Sequence, residues 1–117
     1  MPSFKVWDVV RVPFPYTNRP VRQHRPALVV ALPHADREGF LLWVLMITSA
    51  GNRGWPSDVE ISDLEIAGLP APSLVRTAKI ATIEAGDAEA LGKLSKTDRL
   101  KVQKHLVGHL KGAHTST

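Results

Sequence analysis

The chain has 117 residues, room for one domain built around a sizeable core. Hydrophobic residues make up 44% and charged residues 22%, which is the balance of a folded protein and excludes wholesale disorder. The absence of cysteine excludes disulfides, thiolate catalysis and cysteine-ligated metal. The longest apolar run, residues 40–48, falls far short of the ~20 residues a membrane-spanning helix needs. The first residues reach Lys5 before any apolar stretch develops and do not read as a secretory leader, so the expected compartment is the cytoplasm, with no membrane partner. The net charge of +4 is unevenly spread: residues 1–57 carry +4, residues 58–92 carry −5 and residues 93–117 carry +5. Basic ends around an acidic middle point to a polyanionic partner, nucleic acid first, although lysines on a solvated helix give the same balance.

Residues 4–14 read as a strand, with Val6, Val10, Val12 and Phe14 at even spacing. Pro13 and Pro15 then stop central pairing, and an exposed loop opens at residues 16–20. Residues 26–32 form an almost wholly apolar strand, covered on both faces. A turn at 33–39 leads into residues 40–48, the most hydrophobic and hence central strand. Residues 50–57 are a loop by composition, and 58–62 a short strand. Gly68, Pro70 and Pro72 keep any helix within 63–72 brief, and strand pieces follow at 73–77 and 79–83. Ser95 and Asp98 fit a capping box, after which Leu100, Val102, Leu106, Val107 and Leu110 keep helical spacing for a helix packed on the sheet. Gly108 weakens its last turn. The pattern predicts a mainly β domain over residues 1–112, a compact bent antiparallel sheet or small barrel with a C-terminal helix, and a flexible tail at 113–117.

Little standard chemistry fits these residues. Among histidines 24, 34, 105, 109 and 114, only His105 and His109 share a helix face, and Leu106 stands where a zinc-protease helix carries its glutamate. With no third ligand, a solvated helix face is the better reading, and no metal or other cofactor is expected. Neither a glycine-rich phosphate loop nor a serine nucleophile elbow is present. What remains is polar residues at strand ends: Arg25, where a basic loop enters a buried strand, and Thr48 and Ser49, where the most apolar strand runs out. On spacing alone, an ion pair for Arg25 and a turn cap for Thr48 are the simpler readings.

The series Asp8-Val9-Val10, Val12-Pro13-Phe14-Pro15-Tyr16-Thr17 and His24-Arg25-Pro26-Ala27-Leu28-Val29-Val30 resembles the start of the MazF/PemK toxins of bacterial type II toxin–antitoxin pairs. The likeness continues, in the family's order and spacing, through Met46-Ile47-Thr48-Ser49, Gly54-Trp55-Pro56, Asp58-Val59-Glu60-Ile61, Ser73-Leu74-Val75-Arg76 and Lys79-Ile80-Ala81-Thr82-Ile83. The chain departs from the family pattern at Trp7, where a glycine is common, and in the more basic loop at residues 18–23. The resemblance implies a small bent antiparallel SH3-like barrel of the MazF/PemK/CcdB type, working as a homodimer. It also implies a sequence-selective, metal-independent endoribonuclease that cuts single-stranded messenger RNA through the ribose 2′-hydroxyl, arresting growth until a cognate antitoxin blocks it with an acidic disordered segment.

The family's catalytic arginine and threonine fall on Arg25 and Thr48. A guanidinium stays protonated and offers fixed donors to phosphate oxygens, so Arg25 is expected to stabilise the transition state first and move protons second. Thr48 is expected to hydrogen-bond a phosphate oxygen or orient the 2′-hydroxyl. His24 is of the residue type suited to proton transfer, yet neighbours in a strand face opposite ways, which favours a packed or solvent-facing side chain. RNA contacts are expected from Tyr16, Asn18, Arg19, Arg22, His24, Ser49, Arg53, Trp55 and Arg76, since single-stranded bases stack on aromatic faces and arginine meets phosphates and base edges. Each has a structural counterpart: Trp55 as loop packing, Arg76 at a dimer seam, Tyr16 as apolar filler. A gyrase poison like the related CcdB toxins, or a catalytically silent relative that binds RNA or antitoxin, are the alternatives.

Overall fold

The computed structural model describes residues 4–14, 23–33 and 41–114. Strands β1 (Asp8–Phe14), β2 (Gln23–Ala31), β3 (Leu41–Ser49), β4 (Asp58–Glu60), β5 (Ser73–Glu84) and β6 (Glu89–Lys93) are joined by helices α1 (Leu64–Ala67) and α2 (Lys96–His114). The strands pair antiparallel in one sheet of order β4-β5-β3-β2-β1-β6. No pairing among the described residues joins β4 to β6, so the sheet is not closed. Register shifts at Val9/Val10, Val29/Ala31 and Leu45/Met46 mark bulges, the usual means of bending a strand.

Period-2 alternation divides the apolar residues between two cores, one on each face of the sheet. Val9, Leu28, Leu45, Ile47 and Val75 build the first, together with Val102 of α2. Val10, Val12, Ala27, Val29, Val44 and Met46 build the second. Most of these side chains are fully buried, and burying one Val or Leu stabilises the fold by about 1.5–3 kcal/mol.

Several boundaries differ from those read in the sequence. β2 begins at Gln23, so His24 and Arg25 are strand residues, and the two expected pieces at 73–77 and 79–83 are one strand of 12 residues. The expected break falls on the bulge: β3 pairs Leu45 with Ile80 but Met46 with Arg76, leaving residues 77–79 outside the ladder. β6 has no counterpart in the sequence pattern. The expected capping box is half formed. Ser95 Oγ accepts from Asp98 N at 3.3 Å, while the buried Asp98 carboxylate turns to Ser62, accepting from its backbone N at 2.8 Å and its hydroxyl at 3.0 Å. Gly108 does not break the helix, which runs to His114 and so takes in residues 113 and 114 of the expected flexible tail. Of its apolar stripe only Val102 and Leu106 reach the core; Leu100, Val107 and Leu110 stay 60–69% exposed. His109 is also tied down, with Nε2 3.1 Å from Thr77 Oγ1 and 3.4 Å from Ser57 Oγ.

Two places on the backbone are shaped by glycine or by its absence. Trp7, where the family pattern favours glycine, has φ +81°, the left-handed region that glycine enters without cost. Its N–H donates to Val29 O at 2.8 Å, its carbonyl accepts from Leu94 N at 3.0 Å, and its ring packs on the first core. Gly68 caps α1 at φ +73°, and a Cβ there would stand 2.1 Å from Leu91 O; one at Gly92 would stand 2.2 Å from Ile66 O. Helix α1 therefore rests on β6 backbone to backbone.

Candidate RNA-binding groove

The start of β2 and the end of β3 lie side by side. Ala27 pairs with Met46, and continuing that antiparallel register outward by two residues sets Arg25 beside Thr48. A groove of about 420 Å³ opens there. His24, Arg25, Thr48, Ser49 and Asn52 line it, together with Pro70, Pro72 and Ser73 from the chain that leads into β5. No carboxylate is among the described residues that line it, so the lining suits an anion. A neighbouring hollow of about 510 Å³ shares Pro26, Leu69 and Pro70 with the groove but carries Glu65 and no hydroxyl, which makes it the poorer place for phosphate chemistry.

Beyond Ser49 the chain forms a 3₁₀ turn, Ala50–Asn52. Ser49 caps it, its Oγ accepting from Gly51 N at 3.3 Å, and Ala50 N donates to Pro72 O at 3.0 Å. The turn brings Asn52 back over Thr48, and Asn52 Nδ2 donates to Thr48 Oγ1 at 3.0 Å. Nothing in the sequence pattern singles out Asn52; a short polar side chain four residues after a strand-end threonine is the signal, and it needs the turn to carry meaning.

Arg76 faces this turn from β5. Its Nε and Nη2 donate to the two oxygens of Asp58 at 3.2 and 3.1 Å, and Nη2 also donates to Asn52 O at 2.7 Å. The guanidinium lies 4.4 Å from the centre of the Trp55 ring, a cation–π arrangement that leaves Trp55 46% exposed. The side chains of Arg76 and Asp58 are only 12% and 9% exposed. Arg53, by contrast, is 65% exposed in an ion pair with Glu60 at 2.7 Å, and its Nε donates to Ala50 O. His24 is exposed and Arg25 half-buried. Tyr16, Asn18, Arg19 and Arg22 lie outside the described residues. Among the described residues no cluster of three or more His, Asp or Glu could hold a metal ion, and no helix is long and apolar enough to cross a membrane.

With the groove and its frame defined, the family model described as PemK-like, MazF-like toxin of type II toxin–antitoxin system matches residues 5–110. The chain belongs to that family. The fold agrees. MazF from Deinococcus radiodurans superposes with a TM-score of 0.73 at 19% identity, covering 95% of this chain and 99% of that one. An endoribonuclease from a Mycobacterial species, solved in complex with its cognate antitoxin, gives 0.70 at 20% identity, covering 95% and 96%. The Mycobacterium tuberculosis toxin MazF-mt6 gives 0.69 at 18%, covering 89% and 96%. No curated protein matches the chain at a significant level. MazF/PemK toxins are an endoribonuclease family, and the β-rich sheet with a C-terminal helix is their fold.

Proposed function

We propose that this MazF/PemK-family chain is a sequence-selective endoribonuclease that cuts single-stranded RNA in the groove between β2 and β3. The observation that carries the reading is the meeting of Arg25 and Thr48, from different strands, at one groove with no carboxylate among the described residues that line it. Arginine and threonine there supply a fixed cation and a hydroxyl, which is what a phosphodiester needs when its own ribose provides the nucleophile. The 2′-hydroxyl loses its proton as its oxygen attacks the adjacent phosphorus, the bond to the 5′-oxygen breaks as that oxygen takes up a proton, and a 2′,3′-cyclic phosphate and a 5′-hydroxyl result. Arg25 stabilises the charge that builds on the phosphoryl oxygens, an effect worth several kcal/mol in a preorganised site. Thr48 donates to one of those oxygens.

His24, Ser49, Arg53 and Trp55 are the described residues assigned to RNA along the groove and its rim, with Trp55 as a stacking face. Tyr16, Asn18, Arg19 and Arg22 add aromatic and basic contacts from the sequence between β1 and β2. Arg76 is left out, because its side chain is largely buried and engaged by Asp58 and Asn52. Two copies of the chain act together, and a cognate antitoxin silences them with an acidic segment laid in the same groove. The relatives solved with antitoxin bound support that pairing.

The test is incubation of the purified protein with a long RNA in EDTA, beside a gyrase supercoiling assay. Cleavage that persists in EDTA, leaves a cyclic phosphate and fails on a substrate with 2′-deoxyribose at the scissile nucleotide is the expected result. Normal cutting of that deoxy substrate shows that water is the nucleophile, and gyrase inhibition without RNA cleavage favours the CcdB-like reading.

A further inference from the structure

We propose that Asn52 is a positioning residue for Thr48, and that the Asp58–Arg76 pair holds Asn52 in place. The functional half of this proposal rests on the groove being the RNA-cleaving site; the structural half does not.

Thr48 is the last-but-one residue of β3 and half-buried at the groove. A threonine hydroxyl has one hydrogen to give and two lone pairs to receive with. Because Asn52 Nδ2 donates to Thr48 Oγ1, one lone pair is occupied and the hydroxyl hydrogen is left to point elsewhere. The amide thus selects one side-chain rotamer of Thr48 and sets its polarity as a donor, the role required toward a phosphate oxygen. Asn52 is an exposed residue, and an exposed amide on a loose loop would not hold anything. Here its backbone carbonyl accepts from Arg76 Nη2 at 2.7 Å, and Arg76 is itself gripped by both oxygens of Asp58 and seated on Trp55. The other end of the turn is pinned by Ala50 N to Pro72 O and by the Ser49 cap. The turn is thereby tied to β4 through Asp58, to β5 through Arg76 and to Pro72 just before β5. Asn52 acts on the chemistry through Thr48.

The experiment uses the whole chain with threonine methyl groups isotopically labelled, the Thr48 signal being identified by its loss in Thr48→Ser. Three-bond couplings report whether the Thr48 side chain holds one rotamer, and steady-state cleavage of RNA is measured on the same preparations. In Asn52→Ala the couplings should move to averaged values, kcat should fall about tenfold with KM unchanged, and Tm should stay within about 2 °C. Asn52→Asp should lose more than Asn52→Ala, since a carboxylate accepts the hydroxyl hydrogen and repels phosphate. In a Thr48→Val background the Asn52→Ala change should cost nothing further. Unchanged couplings in Asn52→Ala overturn the proposal, as does averaging of the rotamer with no fall in kcat. If the unmodified protein cuts no RNA while the couplings respond as described, the cleavage reading falls and the positioning of Thr48 by Asn52 stands.

Discussion

Replacing Asp58 with alanine probes the frame behind Thr48 most directly. The carboxylate accepts two bonds from Arg76 at 3.2 and 3.1 Å and one from Trp55 N at 3.3 Å, with the Arg76 and Asp58 side chains only 12% and 9% exposed. Removing one member of a fully buried pair costs about 3–5 kcal/mol, chiefly because the other charge is left stranded. Arg76 in this protein keeps its bond to Asn52 O and its seat on Trp55, which lowers the expected loss to about 2–3 kcal/mol. For a domain of this size 1 kcal/mol moves Tm by about 3–5 °C, so Asp58→Ala should melt about 6–15 °C lower. Combining it with Arg76→Met removes the stranded charge and should recover a good part of that loss. Thermal melts followed by far-ultraviolet circular dichroism read both numbers. A drop below about 2 °C for Asp58→Ala means that Arg76 is solvated in solution, and the reasoning that ties Asn52 to a rigid frame then fails.

Arg25→Lys keeps the charge but loses the planar fork, so RNA cleavage should fall by about 100-fold or more while the melt stays near that of the parent; retained activity removes Arg25 from the chemistry. At Trp7 the backbone angle and the ring pull in opposite directions: Trp7→Ala loses the ring and keeps the left-handed strain, whereas Trp7→Gly loses the ring and relieves about 1–2 kcal/mol of strain. The glycine variant should therefore melt above the alanine variant, and the reverse order refutes the strain argument. Cognate antitoxin and an uncleavable RNA analogue should displace each other in a titration, with antitoxin affinity falling as salt screens exposed charge over about 8–10 Å; simultaneous binding places inhibition outside the groove.

The strands that alternate or run apolar are readable from sequence because burial on a pleated sheet imposes a period of two, as Val9, Val10 and Val12 and the run from Leu42 to Ile47 show. β6 is not readable. Its residues, Glu89-Ala90-Leu91-Gly92-Lys93, have weak strand propensity, and it exists because β1 offers an edge and α1 needs a seat. The bulge at residues 77–79 reads as a gap between two strands, since a local break in alternation looks the same in either case. At the groove, Arg25 and Thr48 are legible through the family pattern, whereas their adjacency depends on the register of β2 on β3. Arg76 reads as an RNA contact or a dimer-seam residue because the sequence does not show that β4 brings Asp58 beside it. Asn52 is hidden for a related reason: its bond to Thr48 depends on a 3₁₀ turn that composition alone presents as loop.

The seating of α1 on β6 reaches further than its size suggests. Gly68 and Gly92 let the two backbones touch, and the chain that leaves α1 runs through Leu69 and Pro70 to Pro72, all of which line the groove. The path of that segment past the groove thus starts from a backbone contact made possible by two hydrogens where any other residue carries a carbon. A methyl group at Gly92 cannot be absorbed by a rotating side chain, because what it meets is the carbonyl of Ile66 and the backbone of Ala67. In a selection for cells that survive expression of the toxin, inactivating changes should therefore collect at Gly68 and Gly92 as well as at the groove itself, tracing a footprint that runs along the polypeptide rather than across the substrate.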